Sequence, residues 1–241
     1  DANAPDPDPV DDTNPIYLDS NGVTIKAKDW AVVGESGIIN GITYTIVNRE
    51  TLDNMIDNSE DLTRICTSRI VDMNSLFEQK AINQNINHWD TSNVNTMSEM
   101  FWQSSFDGNI SSWDVGNVTN MVGMFYQSNF NRNINSWDVS QVTDMSSMFS
   151  RNLEYNQPLN NWNVSNVIYM EEMFGGATAF NQDISNWDVS TVTHMSLMFW
   201  NDYINWNNTT DMTFDLDLSN WDVSSVNSCE FFNCMATVNG Y

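Results

Sequence analysis

The chain has 241 residues, of which 32 are acidic and 8 basic, so its formal net charge is −24 at pH 7. This charge repels nucleic-acid backbones and anionic membranes, and neither is expected as a partner. No apolar run reaches the roughly 18 residues of a membrane-spanning helix, so membrane insertion is not expected either. The deficit of lysine and arginine favours a secreted or cell-surface protein, because dissolved salt screens the self-repulsion.

The N-terminal part of the chain divides into two segments. Residues 1–15 are rich in proline and aspartate and almost free of large apolar side chains, which predicts an extended acidic linker. Residues 16–63 then contain short β-branched runs at Val23–Ala27 and Ile42–Val47, with glycines between them. These runs predict strands and a hairpin.

A short helix is predicted to complete an N-terminal cap made of residues 16–63. Leu52, Met55 and Ile56 follow Thr51 at helical spacing, which predicts a helix with Thr51 as its N-cap. The hairpin and the helix would together cover the open edge of the first repeat, whose backbone groups otherwise lack partners.

A tryptophan-led motif fills residues 64–241 and returns about every 24 residues. The first five tryptophans are each followed by Val, Met, Met and Phe at fixed offsets, as in Val142, Met145, Met148 and Phe149, and Trp221 opens a degenerate copy. Degenerate copies at both ends have the character of capping repeats, which gives about seven turns. The tryptophans of the motif are Trp89, Trp113, Trp137, Trp162, Trp187 and Trp221.

The apolar pattern changes within each repeat. Ile86, Ile110 and Ile134 are flanked by polar residues, which predicts one short parallel strand per repeat. After each tryptophan, the apolar offsets match about two turns of a helix. The predicted fold class is therefore an α/β solenoid of the leucine-rich-repeat type, with about seven coils of 24–25 residues that each contain a strand and a helix.

One string of the repeat resembles a known family. The pattern Ile-x-x-Trp-Asp-Val-Ser-x-Val-Thr-x-Met-x-x-Met-Phe runs from Ile134 to Phe149 and again from Ile184 to Phe199. It resembles the BspA-like leucine-rich repeats of bacterial surface proteins, also called the DUF285 repeat. The resemblance implies a right-handed solenoid on a secreted or surface protein, often an adhesin, without enzymatic activity. It brings no shared ligand and no binding residue.

An acidic column follows the tryptophans. Because stacked carboxylates repel one another, either cations lie between them or each carboxylate is satisfied locally. We expect the local solution, an Asx turn in which the side chain accepts a backbone N–H group, and calcium bound between the carboxylates is the alternative. The column consists of Asp90, Asp114, Asp138, Asp188 and Asp222, with Asn163 in the fourth copy.

Two sets of positions lie outside the predicted core. The outward positions of the predicted strands, among them Asn109, Asn133 and Asp183, form polar rows that suit a repetitive ligand such as a glycan. The alternative is a solvated sheet whose amides bond one another. The position after each motif phenylalanine varies and contains Trp102, Tyr126 and Trp200, which are candidate contact residues unless a following loop buries them.

The longest departure from the repeat is an insertion near residues 200–213. Its aromatic residues Trp200, Tyr203 and Trp206 suit stacking against a sugar or a peptide. Asp202 and Asp211 lie beside them, and their oxygens form a candidate calcium site. The alternative is that the loop packs its rings onto the neighbouring repeat.

No catalytic motif accompanies the repeats. His88 and His194 lie in different repeats, and the chain has no HExxH, GxSxG or phosphate-binding loop. The sequence predicts a non-enzymatic binding module of a larger secreted or cell-surface bacterial protein, whose partner is a protein, a peptide or a glycan. The alternative function is homodimer formation that links adhesin chains, with Ca2+ as the candidate cofactor.

Overall fold

Two small sheets and one helix form the N-terminal part of the fold. The structure is a computed structural model that describes residues 13–200 and 216–228. Within these two ranges, no helix has the length and apolar content needed to cross a membrane. The elements are β1 (Ile16–Leu18), which pairs antiparallel with β2 (Ile25–Ala27), then the antiparallel pair β3 (Ser36–Ile39) and β4 (Ile42–Ile46), α1 (Arg49–Asp57), and β5 (Ile65–Cys66), which pairs in parallel with β4.

The runs predicted at Val23–Ala27 and Ile42–Val47 contain β2 and β4, and the hairpin is formed by β4 with β3, a strand that was not predicted. Asn40 and Gly41 connect the two strands with φ angles of 51° and 78°. Positive φ at both positions is the requirement of a two-residue type I′ turn, whose twist matches that of the flanking strands. β4 also begins the parallel pairing of the chain, because Ile46 lies in register with Cys66 of β5.

The predicted helix is present as α1, but its N-cap is Asn48 and the prediction of Thr51 is wrong. Asn48 has an extended backbone, and its side-chain oxygen accepts the Thr51 N–H at 2.8 Å. An N-cap side chain bonds a free N–H at the second or third helical position, and Thr51 occupies the third. Leu52 is fully buried, so α1 packs its apolar side on the first repeat.

The repeats pair with one another through single parallel bridges. Each bridge joins the residue before the first methionine position of one motif to its equivalent in the next repeat. The strands predicted around Ile86, Ile110 and Ile134 are absent. Those isoleucines are buried, but the polar residues beside them form turns: Asn109 accepts the N–H of Ser111 at 3.1 Å. The bridged series is Asp72, Thr96, Asn120, Asp144, Tyr169, His194 and Ser228.

The predicted fold class, an α/β solenoid with a strand and a helix in each coil, is wrong. Among the described residues α1 is the only α-helix, and the Met-Met-Phe stripe consists of turns in every repeat where the structure describes it. Backbone N–H groups there alternate in direction. Met97 and Glu99 donate to the next repeat at 3.0 and 2.7 Å, whereas Met100 donates back to Met97 at 3.2 Å.

Backbone geometry explains why turns replace the helix. Glu99 and Gln103 have φ angles of 57° and 52°, a left-handed conformation that no α-helix contains. Apolar residues three and four positions apart fit a succession of turns as well as a helix, so the pattern does not distinguish the two. Stacking decides between them, because every second N–H group finds its acceptor in the neighbouring repeat.

The core consists of aromatic columns that run along the stack. Successive motif phenylalanines have ring centroids 5.5 to 5.8 Å apart. The motif tryptophans are buried, and each indole N–H donates to a carbonyl of the preceding repeat, as Trp113 does to Ile86 at 3.0 Å. The predicted core position of the tryptophans is confirmed, and the indole polarity is satisfied as well.

A second aromatic column contains one misfit. Phe106, Phe130, Tyr155 and Phe180 stack at 6.2 to 6.4 Å between centroids. The Tyr155 hydroxyl lies where its neighbours have only a ring hydrogen, and within residues 13–200 and 216–228 it has no hydrogen-bond partner. Burial therefore raises the pKa of Tyr155 well above its ordinary value of 10.0.

We expect Tyr155→Phe to stabilise the protein. The substitution removes a buried hydroxyl without a partner and keeps the ring, so the free energy of unfolding should rise by about 1 kcal/mol. Chemical denaturation measures this change. Phe130→Tyr is the matched opposite, since it introduces a hydroxyl into the same column, and it should lower the stability. A Tyr155→Phe protein that is less stable than the wild type contradicts this account.

Tyr155 should also make the stability depend on alkaline pH. Below pH 10 the side chain is neutral in both states and contributes no pH dependence. Above pH 10 the unfolded chain ionises while the folded protein keeps the proton, so stability should fall by up to about 1.4 kcal/mol per pH unit. Denaturation curves at about pH 9 and about pH 11 should show a larger loss for the wild type than for Tyr155→Phe. If the wild type and Tyr155→Phe lose the same stability between these pH values, Tyr155 is not the cause of the pH dependence.

Candidate functional site

The acidic column forms Asx turns, as predicted. Asp138 accepts the N–H of Ser140 at 3.1 Å, and Asn163 accepts that of Ser165 at 3.2 Å in the same position of the next repeat. Hydrogen bonds from the Ser140 side chain and, to a smaller extent, from its backbone N–H lower the pKa of Asp138. In the described parts of the chain, no group of three or more His, Cys, Asp or Glu side chains is arranged to hold a metal ion.

The candidate rows at Asn109, Asn133 and Asp183 also form Asx turns. All three residues are exposed, and each side-chain oxygen accepts the N–H two residues later, at 2.9 to 3.1 Å. Hydrogen bonds from the Ser185 side chain and, to a smaller extent, from its backbone N–H lower the pKa of Asp183. These oxygens are therefore engaged by the backbone, and the role of the row in ligand binding stays a prediction.

The bridged residues and the turns that follow them form one continuous surface, which we call the ladder face. It extends across the repeats from the bridge position to the position after each motif phenylalanine. Every second N–H along it bonds to the neighbouring repeat, as at Phe101 to Met124 and Gln103 to Tyr126. This pairing fixes the positions of its outward side chains.

Two of the predicted aromatic residues meet on the ladder face. The Trp102 and Tyr126 rings stack with centroids 3.8 Å apart and planes inclined by 14°. Both residues are half-buried. Gly123 lies beneath the indole, and a Cβ atom there would approach the ring to 2.8 Å. The stack therefore depends on a glycine with a φ of 58°, and it leaves part of both rings accessible.

The same row is interrupted in the next two repeats. Ser150 and Gly175 take the place of the rings and are buried, and Trp200 follows with 38% of its surface exposed. The three residues line a shallow notch together with Arg151 and Glu172. The ladder face thus carries a ring pair, a gap with charged sides, and a further exposed ring.

A second apolar patch on the ladder face escaped the sequence analysis. Ile168 and Tyr169 are both more than a third exposed. The Tyr169 ring lies 4.8 Å from the ring of His194, whose Nδ1 lies 2.8 Å from the Thr193 hydroxyl. The signal was present at the bridge position, where most repeats have a short polar residue and these two have Tyr and His.

Several predicted site residues fall outside the described residues. They belong to the insertion, and the proposed aromatic contacts and calcium ligands there stay predictions. They are Tyr203, Trp206, Asp202 and Asp211.

Of three comparisons with known proteins, one relates the chain to a family. A family model described as "Mycoplasma protein of unknown function, DUF285" matches residues 48–151, 104–212 and 126–239. These matches overlap and together cover the repeats and α1. Comparison with curated proteins gave no match, and neither did comparison with solved structures.

The Asx turn at Asp138 can be tested by two substitutions. Asp138→Ala removes the acceptor and should lower the free energy of unfolding by about 1 kcal/mol, whereas Asp138→Asn should keep the turn, as Asn163 does. Because the folded pKa is lowered, the carboxylate stabilises above the ordinary value of 3.8, and this contribution is lost as pH falls through the folded pKa. Melting at neutral and acidic pH should therefore show a smaller acid loss for Asp138→Asn than for the wild type, since the remaining carboxylates still titrate. Equal stability of the two variants at neutral pH would be inconsistent with the turn.

Proposed function

Since the chain belongs to the DUF285 family, we propose that it is a recognition module that binds a neutral glycan along its ladder face. The observation that carries the proposal is the stacked pair of Trp102 and Tyr126 on that face. The core has no need of these rings, because the buried phenylalanine and tryptophan columns fill it without them.

Partly exposed rings suit a sugar because the C–H face of a pyranose packs on an aromatic plane. Apolar rings with a few placed polar groups are the usual composition of ligand sites. Here the polar groups lie beside the rings: the Gln103 amide donates to Gln127 at 3.1 Å, one residue from Trp102 and Tyr126 respectively. An extended chain of sugars would meet equivalent amides at Gln79, Gln103 and Gln127 of three successive repeats.

Charge favours a neutral ligand over an anionic one. A net charge of −24 repels acidic polysaccharides and nucleic acids, and it imposes no such barrier on an uncharged glycan. The ladder face itself bears acidic side chains, among them Glu172 at the notch. A sulfated or uronic-acid polymer is therefore disfavoured.

The buried polar cluster at the first repeat does not support catalysis. The Cys66 thiol lies 3.4 Å from the Ser68 hydroxyl, which donates to the Asp90 carboxylate, an arrangement with the residue types of a nucleophilic site. Cys66 is fully buried, and burial raises the pKa of its thiol. A reactive cysteine needs a lowered pKa and access to substrate, so we assign this cluster a structural role.

The subgroup of the family and the cellular location of the protein are part of the proposal. We propose that the chain is a BspA-like member of the family, carried on a secreted or cell-surface protein as an adhesin module. A protein or peptide partner, homodimer formation and calcium dependence are the competing functions. The exposed patch of Ile168, Tyr169 and His194 is the surface on which a protein partner would be sought first.

We expect the substitutions Trp102→Ala and Tyr126→Ala together to reduce glycan binding by tenfold or more. Each lost stacking contact should cost about 1 kcal/mol or more, because apolar area and ring contacts disappear together. Binding to an array of neutral oligosaccharides measures the effect, with heparin as the anionic comparison.

Trp30→Ala is the matched control, because Trp30 is half exposed but lies in the segment between β2 and β3, which is not part of the ladder face. It should leave binding unchanged. The melting temperature of the double variant shows whether the repeats remain folded. A wild-type chain that binds no neutral oligosaccharide, or that loses as much binding with Trp30→Ala, rules the proposal out. Binding to a protein instead, or a mass that doubles with concentration, favours the competing functions.

A further inference from the structure

We propose a second binding site at the N-terminal end of the stack, for a small ligand with an apolar body and one positive charge. A cleft of about 360 Å³ lies between the end of α1 and the loop of residues 80–84. The cleft is separate from the ladder face, so a test of ligand binding in the cleft does not depend on the glycan proposal. In size it falls within the range of small-molecule sites.

The cleft is where the second aromatic column stops. The column of Phe106, Phe130, Tyr155 and Phe180 reaches the first repeat at residue 82, which is Ile82. An isoleucine is shorter than a phenylalanine, and α1 contributes no ring beyond it. The space that a further ring would occupy is therefore open, and its floor is apolar because Ile82 and Phe77 line it.

Both ends of the cleft are held in place. The Lys80 ammonium lies 2.9 Å from the Asp57 carboxylate, which joins the loop to the end of α1. At the other end the Gln84 side chain accepts the Leu62 N–H at 2.6 Å and donates to the Glu60 carbonyl at 2.8 Å. A ligand would therefore enter a preformed site and would not have to order its walls.

The charge on the rim favours a cation. Lys80 is neutralised by Asp57, and Glu60 is the remaining acidic residue of the lining. In the part of the chain that the structure describes, no group pairs with the Glu60 carboxylate. An apolar group packed on the half-buried Ile56 beside Ile82 would place an amine within the field of this carboxylate, so an arylalkylamine fits both features.

Phenethylamine is a suitable probe, and titration followed by two-dimensional NMR of the amide groups measures its binding. Binding should shift the amide signals of residues in α1 and in the 80–84 loop. 3-Phenylpropionate has the same aromatic body with a negative charge and should bind more weakly. Equal binding of the two probes overturns the role of Glu60, and shifts spread over the whole molecule overturn the site.

Two variants separate the charge from the cavity. Glu60→Gln should weaken phenethylamine about threefold, whereas Glu154→Gln, an exposed charge change in a distant repeat, should have no effect. Ile82→Phe extends the aromatic column into the cleft and should abolish binding while the melting temperature is kept or raised. Unchanged affinity in a folded Ile82→Phe protein refutes the proposal. If Ile82→Phe does not fold, equal affinities of the two glutamine variants refute it.

Discussion

Every part of this structure depends on backbone pairing between adjacent repeats. A repeat of 24 residues is too short to satisfy its own N–H and C=O groups, and buried backbone groups without partners are costly. The molecule meets this requirement with one parallel bridge per repeat and with N–H groups that alternate between the neighbouring repeat and the preceding turn. The indole of each motif tryptophan adds a further bond to the preceding repeat, as at Trp137 and Ile110.

Stacking in register turns each residue of the motif into a column. Apolar columns fill the interior, and polar columns bond along the outside, where the Asn156 side chain accepts the N–H of Asn181 at 3.0 Å and the Gln182 amide at 2.8 Å. A substitution in a column is therefore judged by its neighbours in the two adjacent repeats. Tyr155 shows this. Its ring stacks between Phe130 and Phe180, which offer its hydroxyl no acceptor, and among the described residues that hydroxyl has no hydrogen-bond partner.

The candidate sites lie where a column changes its residue type. Trp102 and Tyr126 were identified from the sequence because the position after the phenylalanine varies, and the structure places them in contact. Tyr169 and His194 were missed, because the bridge position was not recognised as the outward edge of the ladder. The cleft beside Ile82 was beyond sequence reasoning altogether, since it is the end of a column that only stacking creates.

The sequence by itself determined the period, the buried columns and the local turns, because these depend on residue type and spacing within one repeat. It identified the strands β2 and β4, the helix α1 and the Asx turns at the acidic column. Only the tertiary structure decided that the Met-Met-Phe stripe forms turns and that the parallel pairing lies at Thr96 and Asn120. The physical reason is that the acceptors for these N–H groups belong to another repeat, and their positions are set by packing between repeats and not by the local sequence.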